Sequence, residues 1–328
     1  MSALTALFIG GTGIISSACG ALAVERGVEL TVLNRGKTGT RPSPTGAEVL
    51  TADVSDPEAV REAIGDREFD VVVDFVSFLP DHARRDIDLF AGRTGQYVYI
   101  SSASAYQKPP ARLPILESTP LRNPFWQYSR DKIASEDVLV AAYRDNDFPV
   151  TIVRPSHTYD RTAIPLSGGW TLIDRMRRGK PVVLHGDGSS LWTLTHNTDF
   201  AKAFVGLLGN PQAVGDSFTI TSDEVLTWNQ IARMLGTAAG ADPTLVHVPS
   251  SALARAIPEI GDGILGDKAH SVIFDNTKVK TLVPDFVATV PLSTGAREIV
   301  EWHDADASRR TVDPDLDAAF DALAERYG

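Results

Sequence analysis

The sequence predicts an α/β protein: a doubly wound parallel sheet followed by a smaller C-terminal lobe suited to a substrate. Three observations predict it. In the first half of the chain short apolar runs alternate with helix-length segments, which is the rhythm of repeated βαβ units. The runs are continuous, as in Val71-Val72-Val73, and such strands suit a sheet buried on both faces. Past Arg154-Pro155 the rhythm loosens into loops and short elements, the pattern of a second lobe.

The elements follow in order. A strand at about 4 to 9 leads into a helix at about 13 to 26 and a strand at about 29 to 34. Next come Glu48-Val49-Leu50, a helix from Pro57, the run Phe69 to Phe75, a helix near 80 to 91, and Gln96-Tyr97-Val98-Tyr99-Ile100. A helix at about 126 to 146 precedes the strand Val150-Thr151-Ile152-Val153. Arg154-Pro155 terminates it, because proline cannot continue the ladder. The doubly wound sheet is then complete. Residues 1–155 therefore form the first domain and 156–328 mainly the substrate lobe, with room for strands or helices to return to the first domain. The lobe holds Gly168-Gly169, Gly186-Asp187-Gly188, helices near 198 to 208 and 227 to 239, and an amphipathic helix from about 314. No internal repeat or low-complexity tract interrupts it.

Composition narrows the function classes. At 328 residues, 43% hydrophobic and 22% charged, the chain can bury a sizeable core. A net charge of -11 repels phosphate backbones and anionic lipid, so neither nucleic acid nor membrane is expected as a partner. The single cysteine, Cys19, cannot form an intrachain disulfide and reads as a small buried hydrophobe, with the cytoplasm the simplest compartment. The apolar opening Ala3 to Ile9 lacks a basic flank and runs into glycines, so it reads as a strand and not a signal peptide. Seven scattered histidines without companion cysteines give no metal site.

Between the first strand and first helix lies Gly10-Gly11-Thr12-Gly13-Ile14-Ile15-Ser16. Backbone N–H groups and a positive helix end converge there, which suits a pyrophosphate. Gly10 permits the tight turn, and Gly13 lets a phosphate approach the backbone. Ser16 stands where a third glycine is usual and is small enough to keep the helix close. A glycine cluster alone also fits an ordinary turn, and its place in the first βαβ unit favours the cofactor reading, a Rossmann domain over 1–155. At the end of the second strand Asn34-Arg35-Gly36-Lys37 offers no carboxylate for a ribose 2′-hydroxyl. Arg35 and Lys37 can instead pair with a 2′-phosphate, so NADP is favoured over NAD, unless both are solvated loop cations. Asp53-Val54 follows the third strand where an adenine amino group is met, and Asp53 has the alternative of capping the next helix.

Tyr128 and Lys132 lie four apart at the start of a helix, on one face. A nearby ammonium and an oxidised nicotinamide both favour the phenolate, making Tyr128 a usable base, and Lys132 would also hold the nicotinamide ribose. Ser101-Ser102-Ala103-Ser104 ends the fifth strand, at the carboxyl edge where doubly wound folds place chemistry. A serine there can hydrogen-bond the substrate oxygen. Each motif is common by chance; their order along the chain is what carries weight.

Gly10-Gly11-Thr12-Gly13, Ser101 to Tyr106, Tyr128 to Lys132, Arg154-Pro155, Gly186-Asp187-Gly188, Asn276-Thr277-Lys278 and Glu298 to Trp302 together resemble the short-chain dehydrogenase/reductase superfamily. Within it, the match is to the extended group that contains UDP-galactose 4-epimerase and related sugar-nucleotide enzymes, over most of the chain. The resemblance implies Ser102, four before Tyr106, as catalytic serine. It adds Ile14, Ile15 and Phe75 to the cofactor contacts and implies a homodimer through sheet-flanking helices. Departures mark an atypical branch, some of whose relatives are chloroplast RNA-binding proteins. Asp74 to Tyr97 has room for one helix where two are usual. Trp192 replaces an arginine that grips a diphosphate, and either stacks on substrate or packs in the interior; Arg161, Arg175 and Arg178 are alternative phosphate clamps. His157, in place of an asparagine, either faces substrate or is bound to loop backbone, and Ser104 joins the substrate candidates. Ala103-Ser104 lacks the acidic pair of dehydratases, and Cys19 is remote from the position used for carbon deprotonation.

The expected activity is hydride transfer at a secondary hydroxyl or ketone of a polar, sugar-like or nucleoside-derived small molecule, as net redox or as redox-neutral epimerisation. The competing reading is a non-catalytic relative that senses cofactor or binds RNA.

Overall fold

The structure is a computed structural model that describes residues 3–36 and 41–328. Six strands of the first half appear as β1 (Thr5–Ile9), β2 (Glu29–Asn34), β3 (Glu48–Thr51), β4 (Phe69–Asp74), β5 (Thr94–Ile100) and β6 (Val150–Pro155). Between them run α1 (Ile14–Glu25), α2 (Pro57–Ile64), α3 (Pro80–Phe90) and α4 (Gln127–Asn146). The helix expected between Asp74 and Tyr97 is the single α3.

The strands are parallel throughout. Their continuous apolar character follows from burial on both sides: Ala6 and Phe8 enter one core, Leu7 and Ile9 the opposite one, as the two-residue period of a strand requires. Strand order is Ser217–Ile220, β6, β5, β4, β1, β2, β3. The order reverses between β1 and β4, and the crevice beyond their carboxyl ends is where such sheets bind ligands.

One expectation is corrected here. The sheet is not complete at β6. Ser217–Ile220 returns from the C-terminal half and pairs in parallel outside it, with Thr219 opposite Arg154 and Ile220 opposite Pro155. Pairing of β6 with β5 ends at Val153, so proline stops the ladder on that side while its other edge continues. The returning segment is too short to announce itself among loops. The helix Asn197–Leu207 also packs on the sheet, with Phe200 and Phe204 in the core beside Phe8 and Val73. Asn197 Nδ2 donates to the Ile14 carbonyl at 3.0 Å.

The remaining residues build a separate core around Trp170, Trp192, Trp228 and Ile299. Val182–His185 and Leu245–Val248 pair in parallel there. The final helix, Pro314–Tyr327, is capped by Asp313 and anchored by buried Arg175, whose Nη1 lies 2.5 Å from Asp317 and 2.9 Å from Asp321.

A buried carboxylate joins the sheet to α4. Glu136 accepts from Arg154 Nε at 3.0 Å and Nη2 at 2.5 Å, and from the Ser101 hydroxyl. Arg154 Nη1 donates to Tyr106 Oη at 3.1 Å, and that hydroxyl shares a hydrogen bond of 2.6 Å with Thr219. One ion pair thus ties α4, β5, β6 and the returning strand. Glu136→Ala leaves a buried guanidinium without its counter-ion and is expected to lower the unfolding free energy by about 3 to 5 kcal/mol. Urea unfolding measures this, with Glu136→Gln expected to lose less.

Candidate active site

The glycine loop is braced from several sides. Gly10 has φ +84°, and a Cβ there would stand 2.5 Å from Val76 Cγ1, so both conformation and space require glycine. Ser16 Oγ accepts from the Gly13 N–H at 2.8 Å and donates to the Gly10 carbonyl at 2.7 Å. Serine at the third-glycine position therefore latches the loop as well as fitting under it. Asn34 Oδ1 accepts from the Gly11 N–H at 3.0 Å. The first turn of α1, at Ile14 and Ile15, receives no side-chain cap, and Gly13 before it is exposed. An uncapped helix end over small residues fits a pyrophosphate.

The other cofactor candidates are placed as follows. Arg35 is exposed at the end of β2, and Lys37 lies outside the described residues. Asp53 is not the cap of α2: Asp56 is, accepting from the Glu58 and Ala59 N–H groups, while Asp53 Oδ1 accepts from Ser55 N–H and Oγ at 3.0 and 2.8 Å. Val54 packs against the core on the Leu7 side of the sheet. Phe75 packs edge-on against Phe8, ring centres 5.3 Å apart, and near Phe204.

Ser102 ends the extended backbone after β5 and caps the short turn Ala103–Ala105. Its Oγ is 2.9 Å from Ser104 Oγ, which accepts from Ser129 at 2.8 Å. Tyr128, in the first turn of α4, lines the same cavity as Ser102. Burial pushes its phenol up, the Ser102 hydroxyl opposes the rise, and Asp267 adds to it. Lys132, one turn on, donates to the Ser77 and Ile100 carbonyls at 2.6 and 2.7 Å. Its Nζ lies 4.7 Å from the Phe78 ring centre, 4.9 Å from that of Tyr99 and 5.9 Å from that of Tyr128. Burial lowers its pKa to about 8, while Asp74 and Glu136 raise it. The expected lowering of the phenol by Lys132 is therefore not found in the chain by itself. The ammonium is engaged by carbonyls, and burial of the phenol dominates.

Ser102, Ser104, Tyr128, His157 and Trp192 line one cavity of about 290 Å³. Trp192 Nε1 donates to His157 Nδ1 at 3.2 Å. An indole nitrogen only donates, so Nδ1 is unprotonated and the neutral ring carries its proton on Nε2. His157 is thus held by a side chain and not by loop backbone. Trp192 both packs, against Trp228 at 5.0 Å between ring centres, and lines the cavity.

Of the three alternative arginines, Arg175 is buried against Asp317 and Asp321, Arg178 pairs with Asp174, and Arg161 is exposed. None lines the cavity. Sequence reasoning missed Trp126, Asp267, Lys268 and Phe274, which do. They come from segments without a motif, and no spacing signals them. Among the described residues no group of His, Cys, Asp and Glu is placed to hold a metal ion, and no helix is long and apolar enough to cross a membrane.

Residues 6–221 match the family described as NAD dependent epimerase/dehydratase. A 2'-dehydrokanamycin reductase of Streptomyces kanamyceticus is 26% identical over 248 residues, 74% of this chain and 69% of that protein. The chloroplast stem-loop binding protein of 41 kDa b of Arabidopsis thaliana is 25% identical over 254 residues, 74% of this chain and 65% of that protein. Among solved structures, UDP-glucose 4-epimerase from Bifidobacterium longum, in complex with NAD+ and UDP, superposes with a TM-score of 0.73 at 16% identity, covering 93% of this chain and 99% of that one. At that identity the likeness speaks for the fold.

The His157 pKa is pulled down to about 3 by burial and by the Lys268 charge. An unfolded histidine titrates near ~6.5. The unfolded chain therefore takes up a proton that the folded chain refuses, and stability present above that pH is lost as the pH falls toward the folded value. His157→Gln, which keeps an acceptor for Trp192, is expected to flatten this acid slope by up to about 1.4 kcal/mol per pH unit. Urea unfolding at a series of pH values measures it; an unchanged slope would remove His157 as a source of the acid sensitivity.

Proposed function

Because the chain belongs to the NAD dependent epimerase/dehydratase family, we propose that it catalyses hydride transfer at a secondary hydroxyl or ketone of a sugar-like small molecule. The observation that carries this is the meeting of two hydroxyls, Ser102 and Tyr128, in one cavity at the carboxyl edge of the sheet, with Lys132 buried behind them. When bound, the nicotinamide supplies the hydride acceptor or donor. The loop from Gly10 to Ile15, with Asn34, Asp53, Val54 and Phe75 around it, would hold the dinucleotide.

Tyr128 Oη moves the proton: it takes one from the substrate hydroxyl during oxidation and returns it during reduction. Ser102 orients the substrate oxygen and steadies its developing charge. Lys132 would hold the nicotinamide ribose. Its ammonium, brought near the phenol when it leaves the Ser77 and Ile100 carbonyls, would oppose the burial that keeps the tyrosine protonated. The likeness to a reductase and the match to an epimerase/dehydratase family support both net redox and redox-neutral turnover, which use the same three residues. NADP is the proposed cofactor, since β2 ends in Asn34 and exposed Arg35 with no carboxylate.

The similarity to a stem-loop binding protein favours a non-catalytic second reading. A net charge of -11 opposes it for any nucleic-acid ligand.

Two measurements test the proposal. Tyr128→Phe is expected to lower turnover of a ketosugar with NADPH roughly 10²- to 10⁴-fold while cofactor binding persists; undiminished turnover would sink the assignment. Arg35→Ala is expected to weaken NADP binding about tenfold and leave NAD unaffected. Equal losses for both would mean that Arg35 does not read a 2′-phosphate.

A further inference from the structure

Lys268 lines the same cavity as Ser102 and Tyr128. It ends the π-helical turn Ile264–Lys268, and such turns recur at functional sites. Its carbonyl accepts from His185 Nε2 at 2.9 Å, Ser190 Oγ at 3.2 Å and Trp228 Nε1 at 3.2 Å. Three side chains therefore fix the backbone that carries it. The side chain stands where the catalytic cavity meets an outer cleft of about 330 Å³, with Nζ 5.9 Å from the Trp126 ring centre.

Among the described residues the Lys268 ammonium makes no hydrogen bond or ion pair. The neighbouring carboxylate, Asp267, is already engaged: fully buried Lys108 has its Nζ 2.7 Å from Asp267 Oδ1. Two lysines against one carboxylate leave this corner with a positive charge uncompensated. Glu259 and Asp262 line the outer cleft and are exposed, so water screens them. Burial lowers the Lys268 pKa and Asp267 raises it. An arriving anion would restore the solvation that burial removes.

We propose that Lys268 is the substrate's anion site: the cavity takes a small hydroxylated or keto compound bearing a carboxylate or a phosphate, with that group on Lys268 and the reacting carbon at Ser102 and Tyr128. Only the reacting end of this pose rests on the hydride-transfer reading. A cavity of about 290 Å³ lies at the lower end of ligand sites, which suits a monosaccharide-sized acid better than a nucleoside diphosphate sugar. Trp126 and Trp192 add aromatic surface to the lining.

Calorimetric titration of the full chain, with and without NADP, compares glucose, glucuronate and glucose 1-phosphate. At least one acidic sugar is expected to bind about tenfold or more tightly than glucose, the contribution of one hydrogen bond to a charged group. The two acids separate carboxylate from phosphate. In Lys268→Met the preference disappears while NADP affinity is unchanged, and Lys268→Arg retains it. Equal affinity for all three sugars, or a preference that survives in Lys268→Met, overturns the proposal. The wild-type comparison and Lys268→Arg decide the matter even if Lys268→Met does not fold. Binding is read without turnover, so a chain that transfers no hydride still tests Lys268, and Tyr128→Phe should keep the preference.

Discussion

The arrangement of the site depends on the buried pair of Glu136 and Arg154. Tyr128, Lys132 and Glu136 recur at intervals of four along α4, so they form one stripe facing the sheet. Glu136 binds Arg154 of β6 and the hydroxyl of Ser101, and Ser101 is followed at once by Ser102. The same carboxylate therefore sets the helix that carries the tyrosine against the strand end that carries the serine. A buried ion pair contributes little net stability compared with apolar packing, yet it is costly to break. Its contribution here is register. If α4 slid by a turn along the sheet, Glu136 and Arg154 would both be stranded.

From that fixed helix the rest of the constellation follows. Lys132 reaches carbonyls just beyond β4 and at the end of β5, so its ammonium reports on the same crevice that the glycine loop opens from β1. Ser16 and Asn34 hold that loop in shape from α1 and β2. Residues from α1, β2 and α4 thus brace the crevice where strand order reverses, through side-chain hydrogen bonds to backbone groups. The far side of the cavity is built differently. Its walls come from the second core, where Trp192 orients His157 and a π-helical turn presents Lys268.

Much of this was legible in the sequence because it rests on local rules. Continuous apolar runs mark doubly buried strands, a glycine cluster after the first marks the tight turn, and a spacing of four puts Tyr128 and Lys132 on one helix face. The strand Ser217–Ile220 and the packing of Asn197–Leu207 on the sheet were not legible. Each is a short element whose partners are far along the chain, and strand pairing across such a distance leaves no periodic trace. Asn34 was read as a cofactor contact, yet its side chain also braces the loop. Asp53 offered two roles, and the capping one went to Asp56 three residues later.

By itself the sequence determined the parallel α/β architecture, the glycine loop after the first strand and the order in which Ser102, Tyr128 and Lys132 occur, since periodicity and spacing are written within single elements. Only the tertiary structure decided how the cavity is charged. Arg175 and Arg178 are consumed by Asp317, Asp321 and Asp174, and Lys108 neutralises Asp267. Among the described residues that line the cavity, the cation without an ion pair is Lys268. Whether a charge is free or paired depends on which distant carboxylate packs beside it, and that is a property of the fold and not of the residue.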